Sequence, residues 1–312
     1  MKLQKPPPEI ARMGLRGMKM VVNADGEFHS LERGLMNAVQ KNILGTEFDL
    51  DDLEDITPRE LAEGLPEVFQ EQFFNGCLIA ALIDGEASIS EGALLDEYSS
   101  EFGIKSPELK NFHRAIDHHL LLFRFDVARR SFLGQRLKKR VQEEGIRGIT
   151  SLVRGLVKSH EPKLADRYRS LESRAEGTLG RSYFEFVRNN QFSLPGEVGG
   201  PPEPIVFHDC LHVLAEYETS PLEETQIASF QAGLLREQPM FGLFFMLAQF
   251  QLGIQVTPIT GAESNQVDPE LMIKALVRGT HVNRDLTTNW DPWDDFDEPI
   301  VDLRHKYNIL PR

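Results

Sequence analysis

Cysteine is nearly absent from this sequence, with Cys77 and Cys210 the only two among 312 residues. A disulfide framework is therefore not implied, and a reducing compartment is the expectation. Long apolar runs are missing too. The longest, Phe241 to Ile254, is too short to span a bilayer and is broken by Gln249 and Gln251. The first residues, MKLQKPPPEIARM, lack the apolar core of a signal peptide. Cations are in deficit, 34 Lys and Arg against 48 Asp and Glu, and a net charge of −14 argues against general binding to a nucleic-acid backbone. Sustained period-two alternation, the mark of half-buried strands, is also lacking. What remains is globular, with 41% hydrophobic and 26% charged residues and a length typical of about two domains. A cytoplasmic, all-helical protein is expected.

The charge is unevenly placed. Residues 1–106 carry a net −11, residues 107–182 a net +8 and residues 183–312 a net −11. A basic segment between two acidic ones can complement them within the molecule, present a cationic face to an anionic lipid or phosphate, or simply form a solvated helix face. Helix is expected from Pro107 to about Arg140. Its histidines, His113, His118 and His119, read as surface or core residues rather than ligands.

Two stretches 59 residues apart resemble one another: ADGEFHSLERGLM from Ala24 and IDGEASISEGALL from Ile83. In each, an apolar helix runs into a DGE turn and a second helix follows. Gly26 and Gly85 suit left-handed helix ends, and Ser30 and Ser90 are the expected caps of the helices that follow. TPRE at Thr57–Glu60 is a capping box with proline at the first helical position. Ser106-Pro107 opens another helix in the same way. This duplicated acidic turn resembles the TerB-like (tellurite-resistance) helical family over about residues 19–105. The resemblance implies a divalent-cation site made from Asp25, Glu27, Glu32, Asp84, Glu86 and Glu91, a set of oxygen ligands suited to calcium or magnesium. The same acids also favour helix N-termini without any ion.

The sharpest chemical signal is HDCLH, His208 to His212. Two histidines at i and i+4 share a helix face and can chelate one metal. TSPLEE follows, with Ser220 as N-cap, Pro221 first in the helix and Glu223 closing a capping box. Glu224 is left free to face His212 across a short antiparallel turn. A hydrolase of the HExxH kind would have to work with Asp209, one methylene shorter than the usual glutamate base. A phosphohydrolase built on adjacent His and Asp needs a further upstream histidine, and none lies between His160 and His208.

A third reading comes from resemblance. HDxxH followed by eleven residues and glutamate resembles the signature of the coenzyme Q biosynthesis protein 4 family, with His208, Asp209, His212 and Glu224 at the matching positions. GTLGRSYFEFVRNNQFSLPG before the motif, PMFGLFFMLAQFQLG after it, Arg278-Gly279, Asp285 and the Trp290–Trp293 stretch extend the likeness over about residues 160–310. The resemblance implies an all-helical fold and a divalent metal, with zinc the first expectation and iron or magnesium the alternatives. It also implies a role in making ubiquinone or a related prenylated quinone. Two forms of that role are described for the family: oxidative removal of the ring carboxylate, and organisation of the other quinone-biosynthesis proteins. Peripheral contact with the inner face of a membrane and a homodimer are compatible with it. The acidic N-terminal repeat departs from the family's usual pattern.

On this resemblance, Phe241, Phe244, Phe245, Met246 and Phe250 would line a slot for an isoprenoid tail, although a helix apolar on every face is ordinarily core. Arg181, Arg188 and Arg278 would hold an anionic head group, although surface ion pairing is the plainer use for each. Asp209 would be a ligand or a proton handler. The expected architecture is all-α, with two helical domains and no substantial sheet. Residues 1–18 form a tail, 19–106 the duplicated domain, and 107–312 the metal- and prenyl-lipid-binding domain.

Overall fold

A computed structural model describes residues 2–117, 119, 123, 126, 161–236, 239–255, 261–288 and 290–312. His118, the expected helix between 127 and 140 and most of the basic segment lie outside the described residues. Those described form α-helices with short 3-10 and π turns and two isolated bridges, and contain no strand.

The first helix, α1 (Pro8–Val22), begins with proline and Glu9 in its first turn. Ala11, Leu15, Met18 and Val22 recur at helical spacing and are buried. Residues 8–18, expected as a tail, are therefore helical and bury Ala11, Leu15 and Met18 in the core. The chain then forms α2 (Ser30–Val39), α3 (Pro58–Gly64), α4 (Glu67–Ala80), α5 (Ile89–Phe102) and α6 (Pro107–Ile116). The two acidic turns match in backbone geometry. Gly26 and Gly85 share φ 94°, and Asp25 and Asp84 each accept the amide two residues on at 3.0 Å. The caps, however, are His29 and Ser88, not Ser30 and Ser90. His29 Nδ1 accepts from Leu31 N, and Ser88 Oγ accepts from Glu91 N. Glu32 and Glu91 reach back to the cap amides at 2.7 and 3.1 Å. The glutamates of the repeat thus close capping boxes. Thr57 and Glu60 form the expected box.

The second half comprises α7 (Pro162–Arg169), α8 (Leu179–Asn189), α9 (Val206–Ala215), α10 (Pro221–Leu234), α11 (Pro239–Phe250), α12 (Pro269–Thr280) and α13 (Ile300–Tyr307). Apolar packing does not follow the boundary expected near residue 106. One core joins α1–α6 to α11 and to Met272, Ile273 and Leu276 of α12. The other gathers α7–α10, Ala275 of α12, Trp290, Phe296 and α13. Helix α12 is a wall with a core on each side.

Helices α10 and α12 meet at backbone distance. A Cβ on Gly233 would lie 2.2 Å from the Leu276 carbonyl oxygen, and one on Gly279 would lie 2.0 Å from that of Phe230. Neither wall can yield without moving a helix. Gly279→Ala is expected to cost about 3 kcal/mol, the upper end of ordinary overpacking. Denaturant unfolding checks this, and a loss below about 0.5 kcal/mol would contradict backbone contact at the crossing.

Candidate metal centre

Helix α9 carries both histidines on one face because four residues are close to one turn. His208 Nε2 and His212 Nε2 lie 3.1 Å apart, with the rings nearly perpendicular. Helix α10 runs back beside α9. Ser220 caps it, accepting from Glu223 N. The Glu223 carboxylate does not close the expected box: it turns instead to Glu218 N and Arg312. Glu224, one position further, brings its oxygens to 3.5 Å from His208 Nε2 and 3.4 Å from His212 Nε2.

Among the described residues, His208, His212 and Glu224 form the one group of three or more such side chains whose ligand atoms all lie within 4.8 Å of one another. The spacing suits a single ion. Donors at zinc-like bond lengths around a tetrahedral centre sit about 3.4 Å apart.

The surroundings orient these donors. His212 Nδ1 donates to the Tyr217 carbonyl at 3.0 Å, so the neutral ring points a bare Nε2 lone pair at Glu224. Its ring also stacks on Phe186. Burial, followed by the charge of His208, pushes the His212 pKa down to about 4, leaving it neutral and ready to ligate near neutral pH. His208 Nδ1 meets the Gln231 carboxamide at 2.7 Å. Burial opposes the charged form of His208, but the hydrogen bond and charge of Glu224 outweigh it and raise the pKa. Burial also opposes ionisation of Glu224, and is outweighed by His208 and His212, so its pKa is lowered. This set could hold a divalent metal, with coordination positions left for water or substrate.

Asp209 stands apart from the three. Burial raises its pKa to about 6, moderated by His208 and reinforced by Glu224. Tyr183 of α8 contributes the one buried side-chain polar atom without a hydrogen-bond partner among the described residues, its hydroxyl. Burial and then the charge of Asp209 keep that phenol protonated.

The three arginines do not converge on the metal centre. Arg181 pairs with Glu185 at 2.6 Å, and Arg188 holds Glu197 through two 2.8 Å bonds. Arg278 is buried and donates to the carbonyls of Ala215 and Leu310, both at 2.7 Å. With Arg304, which donates to Leu214 and Val213, it satisfies carbonyls left open where α9 ends. The phenylalanines of α11 also lie elsewhere. Phe241, Phe244, Met246 and Phe250 are buried in the first core, Phe245 packs against it, and Phe244 meets Phe123.

In the acidic repeat, Asp25, Glu32, Asp84 and Glu91 act on one another across the pseudo-symmetric pair, while Glu27 and Glu86 are exposed. Burial, with this mutual repulsion, raises Glu32 to about 8 and Glu91 to about 7.

Gln231 and Tyr183 were not singled out from sequence. Gln231 lies seven residues after Glu224, two turns along the same face, and that spacing was a usable signal. No family model matches the chain, and no curated protein matches it.

Two predictions follow from these surroundings. Replacing Gln231 by Leu removes the partner of His208 Nδ1 and should weaken zinc binding 10- to 100-fold. A competition titration with a chromophoric chelator measures it, and unchanged affinity would remove Gln231 from the site. The acidic repeat gives a pH signature. Its raised carboxyls keep their protons in the folded state while the unfolded chain loses them above about pH 4.5. Their contribution therefore turns unfavourable as pH rises from 4.5 towards 8. Glu91→Gln keeps the capping oxygen and should be more stable than the parent by about 2 kcal/mol at pH 8, the difference vanishing near pH 4.5. Thermal melts across that range decide it.

Proposed function

We propose that this chain is a metal-dependent protein of prenylated-quinone biosynthesis, of the ubiquinone kind, acting on the ring carboxylate of a polyprenyl intermediate. The observation that carries the metal part is the His208–His212–Glu224 triangle, in which the contact of His212 Nδ1 with the Tyr217 carbonyl leaves the His212 Nε2 lone pair facing the other two. The choice of pathway rests on the spacing of His208, Asp209, His212 and Glu224 and on the flanking segments that resemble coenzyme Q biosynthesis protein 4. Zinc suits two imidazoles and a carboxylate, and iron suits them equally where the chemistry is oxidative.

A metal held there would supply Lewis acidity, drawing charge from a carboxylate or phenolate oxygen of the ring. The protein's own part is orientation and proton handling. Tyr217 and Gln231 hold the two imidazoles, and Glu224 supplies the balancing negative charge. Asp209, with a pKa near 6, exchanges a proton close to neutral pH and so can take one from, or return one to, the ring. The Tyr183 hydroxyl is a buried donor with no acceptor among the described residues, and could serve an anionic ligand oxygen beside Asp209. The oxidant for a decarboxylation of this type would come from outside the chain.

A second reading, a metal-stabilised scaffold presenting prenyl intermediates to other quinone-biosynthesis proteins, uses the same ligands. One experiment separates the two. A strain lacking the gene is complemented with the parent, with His208→Ala and with His212→Ala, and its quinones and precursors are measured by mass spectrometry. Loss of quinone with build-up of a ring-carboxylated precursor is the expected result. Loss of quinone without that precursor favours the scaffold. Full quinone levels with either variant would sink the metal-site reading.

A further inference from the structure

A second site lies away from the metal centre. An apolar cavity of about 320 Å³ sits where α1, α2 and α4 face α11 and α12. Its wall includes Leu15, Met18, Leu35, Phe73, Met240 and Met272, and no residue of the metal centre. The side chains of α11 that face it are Met240 and Leu243, not the phenylalanines. Close-packed interiors leave few voids larger than a water molecule, and apolar cavities of about 150 Å³ already accept small hydrocarbons. This one reaches the lower end of the range for natural ligand pockets, about 300–1,000 Å³.

Three features give it the character of a binding site. Its wall holds three methionines, Met18, Met240 and Met272, whose unbranched thioethers adapt to a flexible occupant. Gly14 and Gly76, both within helices, set the wall back, and a Cβ on Gly76 would already lie 2.9 Å from the Met18 methyl. Lys2, Leu3, Gln4 and Pro6 of the N-terminal strap line one side of the cavity. Gln72 of α4 pins the strap with two hydrogen bonds: Gln4 N donates to Gln72 Oε1 at 2.7 Å, and Gln72 Nε2 donates to the Gln4 carbonyl at 2.8 Å. The exposed lining carries Lys2 and Arg236 against a single Glu71; one Arg236 nitrogen, Nη2, donates to the Val282 carbonyl, and the rest of that guanidinium faces outward with Lys2 as the local positive charge.

We infer that this cavity binds a single-chain amphiphile, its flexible apolar chain inside and an anionic head at the Lys2–Arg236 rim, with the strap as the lid. The deep wall is apolar, so it suits an alkyl chain rather than a polar ring. The rim is where an anion would be favoured. The inference stands independently of the quinone reading, because none of the metal ligands lines this cavity and the apolar face of α9 packs in the other core.

The test uses the full chain and a fluorescent dansyl-undecanoate probe, displaced by dodecanoate or by dodecanol. Saturable binding of one probe per chain is expected, with dodecanoate displacing it at least tenfold better than dodecanol. Val39→Phe and Ile79→Phe, which fill the cavity from different helices, should each weaken binding at least tenfold while retaining the parent's circular dichroism. Gln72→Ala, which frees the strap, should speed probe release. His212→Ala should change affinity less than twofold, separating failure here from failure at the metal centre. Absence of saturable binding, or folded filled variants that bind like the parent, would overturn the site. Equal displacement by dodecanol would overturn the anionic head.

Discussion

The contact on which the arrangement depends is the crossing of α10 and α12 at Gly233 and Gly279. Helices normally keep 8–10 Å between axes because side chains intervene. Here the side chains are missing on both, and backbone meets backbone. Two consequences reach the metal centre. Helix α10 is held where Glu224 and Gln231 face His208 and His212. Helix α12 is held where the Arg278 guanidinium reaches the Ala215 carbonyl at the end of α9. The histidine helix is thus located from both sides by partners that are themselves locked together.

The two groups of acids meet burial differently. Glu32 and Glu91 are almost wholly buried, close two capping boxes and repel one another, so their pKa values rise. Glu224 is also mostly buried, yet its pKa falls because two imidazoles face it. Desolvation acts on all three; what differs is whether a partner that can carry positive charge stands within reach. Among the described residues, the second group is the one that brings imidazole and carboxylate atoms together at ligand spacing. The difference also leaves the repeat under strain at high pH.

The double core gives α12 a further role. Its Met272, Ile273 and Leu276 face α1–α6 and the apolar cavity, while Ala275 faces the core that supports the metal centre. Through this wall the duplicated N-terminal helices are packed against the same helix whose Arg278 caps α9. The acidic repeat and the motif-bearing half are therefore joined by packing, and α11, placed by sequence with the second half, contributes to the first core.

Much of this was legible from local rules. Helical periodicity and the lack of alternation led to an all-α fold, because the repeat of 3.6 residues sets which side chains share a face. The i, i+4 spacing of His208 and His212 determined that the two rings would be neighbours. Thr57–Glu60 and Ser220-Pro221 marked helix starts, because capping is a contact between residues close in sequence. Local rules failed where a group had two local choices, as when His29 and Ser88 became caps in place of Ser30 and Ser90. They failed more often where the partner is distant in the chain. Arg278, read as a head-group ligand, is occupied by Ala215 and Leu310, 63 and 32 residues away. Residues 8–18 looked like a tail until α4 and α5 supplied a surface for Leu15 and Met18. The sequence by itself determined the helices and the shared face of the two histidines, since both follow from backbone geometry, and it singled out Glu224 because Ser220 and Pro221 fix where the next helix starts. Only the tertiary structure decided that Asp209 stands apart from the three, what holds the two rings and where a cavity remains, because those depend on how closely helices far apart in the chain approach.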